Sequence, residues 1–256
     1  MPLTPPSDPA EPALFTVDPP PAGTAAQGQA GAPGRRGASA PSRTAGASGP
    51  SRTPAGAAGS VPQPSLFGVA AVEPSIADLA GLLAGPGQLD RMGGTVRVSV
   101  LVDDPWRVHV LMAELDRRGL VASWSRADHR YGVRTSYTVG LAALGRGWLA
   151  GGTKRPPAGF HLDGPRLRLW TAAAGEPDGD GFVLRLGAAD TAWWPLVGGA
   201  LAAVGLPADL VPAGAAGPAY RIEGRRGTAR LAELVGERPP AAPPGRWPGT
   251  VAGQGA

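Results

Sequence analysis

From Ser75 onward, apolar side chains recur at helical spacing at Ile76, Leu79, Leu82 and Leu83. This is the stripe of a half-buried helix with Ser75 as its N-cap, stopped by Gly85-Pro86-Gly87. The period then changes. Thr95 to Val102 alternates, with Val96, Val98, Val100 and Val102 on one face and Thr95, Arg97, Ser99 and Leu101 on the other, which predicts a strand entered through a turn at Gly93-Gly94. Asp103 or Asp104 followed by Pro105 opens a second helix, with Val108, Leu111, Met112 and Leu115 as its apolar members and Gly119 as its stop. Strands are expected over Val121–Arg126 and Val133–Val139, then a helix near Leu141–Leu149.

The same series returns. Arg166 to Trp170 starts it, Asp178-Gly179-Asp180-Gly181 turns it, and Phe182, Leu184 and Leu186 alternate along a strand. A displacement of 86 residues carries Val100 onto Leu186, Asp104 onto Asp190, Gly119 onto Gly205 and Leu120 onto Leu206. One of 83 carries Tyr137 onto Tyr220 and the third helix onto Gly227–Val235. A strand, a helix start and a helix stop preserved together indicate an internal duplication. Each half is an α+β unit of the order αββαββα with an antiparallel sheet. The expected boundaries are a disordered arm over 1–64, a first repeat over 65–152, a linker over 153–165, a second repeat over 166–237 and a disordered tail over 238–256.

Composition supports the arm. The chain of 256 residues carries Gly 40 and Pro 30, and residues 1–64 are dominated by Pro, Ala and Gly with Phe15 as their aromatic residue. Such a segment has too little apolar surface to offset its ordering entropy. Within it Pro41-Ser42-Arg43-Thr44 recurs as Pro50-Ser51-Arg52-Thr53, read as drift in a linker or as exposed Ser/Thr beside Arg suited to kinases. Cys 0 excludes a disulfide framework, a cysteine zinc site and a cysteine nucleophile. His109, His129 and His161 lack the spacing of a helical metal pair. No cationic start followed by an apolar core marks a secretory signal, and no apolar run approaches the ~20 residues of a membrane span. The expectation is a soluble cytoplasmic protein without cofactor or membrane partner.

Leu79-Ala80-Gly81-Leu82-Leu83-Ala84-Gly85-Pro86-Gly87 resembles the LAGLIDADG motif of homing endonucleases. The order of elements in each half is similar to that family's unit, so that two units in one chain imply a monomeric pseudo-dimer. Ala80, Gly81, Ala84 and Gly85 are small enough for two such helices to approach backbone to backbone. Leu169-Trp170-Thr171-Ala172-Ala173-Ala174-Gly175-Glu176-Pro177 takes the matching place in the second half. In cleaving members the last acidic position of the motif holds a divalent metal; here it is Pro86 and Glu176, and the other acidic position is Ala84 and Ala174. Glu176 is expected as a helix-end carboxylate on the surface. This acid-poor form is similar to the N-terminal module of the WhiA regulators, whose scaffold has lost nuclease activity. Those proteins also carry a helix-turn-helix, where this chain continues after Glu237 into proline-rich sequence. The resemblance thus implies a DNA-binding scaffold that does not cleave, with no catalytic and no metal-binding residue.

Charge bears on the same question. Between 117 and 168, Arg117, Arg118, Arg126, Arg130, Arg134, Arg146, Lys154, Arg155, Arg166 and Arg168 face only Asp128 and Asp163. Arginines concentrated along strands suit phosphate contact, although an Arg-rich coding bias and the need of exposed strands for charge give the same pattern. The candidate surface for double-stranded DNA comprises Arg97, Ser99, Arg126, Arg130, Arg134, Ser136, Arg185 and Arg221. Two other readings stay open. One is an ACT-type ferredoxin-like module for a small effector, against which stand Asp103-Asp104-Pro105-Trp106 at the strand-to-helix turn and the lack of a closing strand. The other is a structural interaction protein docking through Trp106, Trp193 and Trp194, of which Trp193 and Trp194 read first as core and rim of one helix.

Overall fold

The computed structural model describes residues 73–214 and 217–249. The proposed arm, the Pro-Ser-Arg-Thr pair and the first residues of the proposed repeat lie outside them. The first half begins with a capping box. The Ser75 Oγ accepts from the Ala77 N–H at 3.2 Å, and the Asp78 carboxylate accepts from the Ser75 N–H at 2.9 Å. A 3-10 turn, Ile76–Leu79, continues into α1, Ala80–Ala84. Then come β1 (Gln88–Met92), β2 (Thr95–Val102), α2 (Pro105–Asp116), β3 (Ala122–Ala127), β4 (Arg130–Thr135) and α3 (Ala142–Trp148). A short hairpin, β5 (Leu149–Ala150) and β6 (Thr153–Lys154), leads to α4 (Gly164–Ala174), whose cap is Asp163 accepting from the Arg166 N–H at 3.0 Å. The series then repeats as β7 (Gly175–Asp178), β8 (Gly181–Arg185), α5 (Trp194–Ala203), β9 (Asp209–Gly214), β10 (Gly217–Ile222) and α6 (Gly224–Val235).

The two sheets have the same topology, β1-β2-β4-β3 and β7-β8-β10-β9, with every neighbour antiparallel. This is the duplicated αββαββα architecture. Its internal repeat shows in the backbone too: the helices before Gly119 and Gly205 both stop on a positive φ, +68° and +79°. Among the described residues each half closes on a helix, α3 or α6, not on the further strand that a ferredoxin-like effector module requires.

The two motif helices, α1 and α4, pack directly on each other. A Cβ on Gly81 would stand 1.8 Å from the Arg166 carbonyl oxygen, so the helix backbones touch where Gly81 has no side chain. Leu79, Leu82, Leu83, Leu167, Leu169 and Trp170 form the buried centre, and the inner faces of both sheets close over it with Val96, Val98, Val100, Phe182 and Leu184. Trp170 reaches across: its Nε1 donates to the Arg185 carbonyl at 2.8 Å, and its ring fills the space that a side chain on Gly85 would take.

Several expectations are corrected. The strand expected over Val133–Val139 is Arg130–Thr135; its ladder with β2 breaks at Ser136 and Tyr137 and resumes one residue out of step, where Thr138 forms an isolated antiparallel bridge with Val96. The segment after Glu237 is not a loose tail as far as Trp247. Trp247 and Ala242 are buried, the Trp247 indole N–H donates to the Gly236 carbonyl at 3.1 Å, and the Arg168 guanidinium lies 5.3 Å from the Trp247 ring. Among the described residues no helix is long and apolar enough to cross a membrane.

Candidate functional site

The outer faces of the strands open on a cleft of about 590 Å³ at the C-terminal ends of α1 and α4. Its lining includes Gln88, Arg97, Ser99, Ser125, Arg130 and Arg134 from the first sheet, and Glu176 and Arg185 from the second. Strand register decides which candidates share this face. Ser99 pairs with Arg134, and Ser123 pairs with Arg134 from the other side; Arg97 pairs with Asp90. Alternation then puts Arg130 on the face of Gly132 and Arg134, beside Ser99 and Leu101.

Arg126 is placed differently. It pairs with Tyr131, two residues from Val133 on the inner side, so it stands on the opposite face from Arg130 and Arg134. It is exposed at that edge, and its Nε lies 3.4 Å from the Asp128 carbonyl. Of the candidates Arg126, Arg130 and Arg134, the last two therefore share this face and Arg126 does not. Ser136 is exposed but lies past the end of β4, its N–H donating to the Val121 carbonyl at 2.8 Å.

The cations differ in what they already hold. The Arg97 Nε donates to Asp90 at 3.0 Å, and its guanidinium lies 4.7 Å from the Tyr137 ring. Arg130 and Arg134 are exposed and, among the described residues, have no hydrogen-bond or ion-pair partner. On the second face Arg185 is bound by Glu176, and Arg221 pairs with Asp178 at 3.2 Å. Glu176, expected as a helix-end carboxylate on the surface, is half-buried just past the end of α4. It lies on β7, with Arg185 on one side and Arg107 at 3.9 Å on the other.

The basic count along 117–168 loses members to the interior. Arg118 bonds Asp78 at 2.9 Å and Glu114 at 2.8 Å; Arg168 bonds Glu114 at 2.7 Å and donates to the Val235 and Glu237 carbonyls at 2.8 and 2.7 Å. All four side chains are buried, so this chain of charges ties α2, α4 and the C-terminal segment together. Burial works against the Glu114 carboxylate, but hydrogen bonds from Arg168 and Arg118 outweigh it and hold its pKa below the ordinary 4.5.

Two more buried cations finish the motif helices. The Arg107 guanidinium donates to the carbonyls of Thr171, Ala172 and Gly175 at 3.3, 3.0 and 2.6 Å. The Lys154 ammonium donates to those of Gly85 and Gly87 at 3.1 and 2.8 Å. Each also meets the acid that precedes a second helix: Arg107 lies 3.6 Å from Asp104, and Lys154 lies 2.5 Å from Asp190. The acids are the repeat-related pair. Helix C-termini carry partial negative charge and unsatisfied carbonyls, so a buried cation there is favoured. Burial lowers the pKa of both groups, and the neighbouring carboxylates oppose that.

Sequence reading missed these cations. Arg107, Glu114 and Arg118 fall on the stripe of Leu111, four, three and seven positions away, which is a charged group at a core position of a helix. Lys154 gave no periodic signal, being on a two-residue strand.

The divalent metal that the motif resemblance implies for cleaving proteins does not fit these residues. Pro86, Ala84 and Ala174 offer no carboxylate, Glu176 is held by Arg185, and the helix-end carbonyls are taken by Arg107 and Lys154. Among the described residues no group of three or more His, Cys, Asp or Glu side chains comes together to hold a metal ion.

The tryptophans are engaged within the chain. The Arg107 guanidinium lies 4.5 Å from the Trp106 ring and that of Arg155 5.1 Å from the Trp193 ring, and the Trp194 Nε1 donates to the Gly187 carbonyl at 3.3 Å.

No protein-family model and no curated protein matches the chain. Among solved structures, the chain is similar to the homing endonuclease I-WcaI bound to its DNA recognition sequence. The TM-score is 0.47 at 11% identity, over 62% of this chain and 78% of that one. The N-terminal LAGLIDADG domain of DUF199/WhiA gives 0.45 at 11% identity over 64% and 81%. I-DmoI in complex with DNA and Mn gives 0.39 at 14% identity over 63% and 96%. The repeated strand order and the central helix pair are the duplicated αββαββα arrangement that the motif resemblance implies.

Proposed function

We propose that this protein binds double-stranded DNA through the outer face of its first sheet and does not cleave it. The observation that carries the reading is the pair Arg130 and Arg134, exposed and unpartnered on one face of β4 beside Ser99 and Ser125. Two arginines whose Cα positions stand about 13 Å apart along a strand, each guanidinium with five donors, suit a phosphate backbone. The hydroxyls beside them supply neutral donors to the same anion.

Two features support the absence of cleavage. Of the two carboxylates that line the cleft, Glu176 is engaged by Arg185 and Arg107, which leaves Asp103 as a lone acid there. The helix ends, where catalytic charge would be needed, are closed by Arg107 and Lys154. In-line displacement at phosphorus needs cationic stabilisation of both attacking and leaving oxygens, and Asp103 alone does not make a metal site for it: among the described residues no three acidic, His or Cys side chains come together. The same lack of acidic ligands leaves a regulatory or architectural role for the scaffold, carried out as a monomer with two related halves.

Fluorescence anisotropy on the full chain, with a random-sequence duplex and a salt series, tests binding. The reading expects log affinity to fall linearly with log salt, and Arg130→Ala with Arg134→Ala to flatten that slope by about 1.8. A slope unchanged by both substitutions contradicts it. For cleavage, supercoiled plasmid with Mg²⁺ is expected to show no nicking above that of Glu176→Ala; a clear excess in the parent protein overturns the non-cleaving reading.

A further inference from the structure

The two sheet faces are related by the internal repeat but not by charge. The displacement that carries Val100 onto Leu186 carries Ser99 onto Arg185. Ser99 pairs with Arg134, whereas Arg185 pairs with Ala219, so the repeat partner of the unpaired Arg134 is an alanine. Both arginines of the second face are already matched. Arg185 is held by Glu176, and Arg221 lies against Asp178 with Asp209 as its strand partner. Asp209, Asp178 and Glu176 share that face by alternation.

We infer that the nucleic-acid backbone is held by the first sheet and not by the second, whose outer face, its Arg185 and Arg221 neutralised in place, is passive toward phosphate. This rests on the DNA reading above and narrows it: the saddle has one gripping side. A phosphate approaching Arg221 meets a cation whose charge is balanced at 3.2 Å by Asp178. Only displacement of that carboxylate would free the guanidinium. Over the first sheet, among the described residues, neither Arg130 nor Arg134 has a carboxylate in ion-pair contact to compete for it.

The test uses the full chain, a fluorescein-labelled random duplex and anisotropy over a salt series, with melting temperature as the folding control. Arg130→Ala with Arg134→Ala is expected to reduce the log–log slope by about 1.8, and Arg221→Ala to leave slope and affinity unchanged. Asp178→Asn, which releases Arg221, is expected to steepen the slope by about 0.9. If Arg221→Ala flattens the slope as much per residue as the first-sheet pair, the one-sided inference is overturned while DNA binding stands. If Asp178→Asn leaves the slope unchanged, the masking of Arg221 is refuted. If the parent protein shows no salt-dependent binding, the DNA reading itself fails, and this inference with it.

Discussion

Gly81 has backbone where any other residue would need room. Its missing Cβ faces the Arg166 carbonyl oxygen at 1.8 Å, so Gly81→Ala must push α1 off α4. Overpacking of this kind costs about 3 kcal/mol or more where the obstacle is backbone, and urea denaturation is expected to show that loss. Lys154 acts by charge. Lys154→Met leaves Asp190 and two helix-end carbonyls without their cation, and breaking such a buried set costs about 3–5 kcal/mol, again read by denaturation. Glu114 makes the same logic depend on pH. Its pKa is depressed in the folded state, so the stability it contributes is complete above the ordinary 4.5 and is lost as pH falls through the lower, folded value. Glu114→Gln is expected to be less stable than the parent at neutral pH, and to lose less between about pH 5 and about pH 3, with the melting temperature followed across that range.

At the level of elements, most of the architecture was legible because local signals agreed. The Ser75 cap, the valine alternation in β2 and the two glycine stops each point the same way as the packing; the Asp163 cap fell in what reads as linker. The strand after Tyr131 was overextended for a physical reason. Val133, Thr135, Tyr137 and Val139 keep the alternation, but the ladder with β2 slips by one residue at Ser136 and Tyr137, and Val139 is exposed at the start of a 3-10 turn. Arg126 was put on the wrong face for a different reason. Local charge grouped it with Arg130 and Arg134, yet β3 ends before Arg130 begins β4, and the register across that hairpin sets Arg126 and Arg130 on opposite faces. The segment beyond Glu237 reads as proline-rich linker because nothing in its composition announces that Trp247 has a buried seat beside Arg168. Trp247→Ala is expected to cost about 3–5 kcal/mol, checked by chemical denaturation; an unchanged midpoint would show that the segment is not part of the folded unit.

For the whole molecule, duplication explains the frame and divergence explains the site. The hydrophobic positions of the two halves are kept: the inner strand faces, the central helices and the acids Asp104 and Asp190 recur. The outer faces have drifted apart, leaving unpaired arginines on one and ion pairs on the other. That difference was invisible along the chain, where buried Arg118, Lys154 and Arg168 counted as much as exposed Arg130 and Arg134. Sequence reading located the basic region, and burial sorted it into structural and available cations. The most direct measurement of the central claim is arginine modification by phenylglyoxal with and without saturating random duplex DNA, mapped by mass spectrometry. The account predicts that DNA protects Arg130 and Arg134 while Arg126, exposed on the opposite face, reacts at the same rate in both samples. Equal reaction of Arg130 and Arg134 in the presence and absence of DNA, or protection of Arg126 to the same degree, would contradict it.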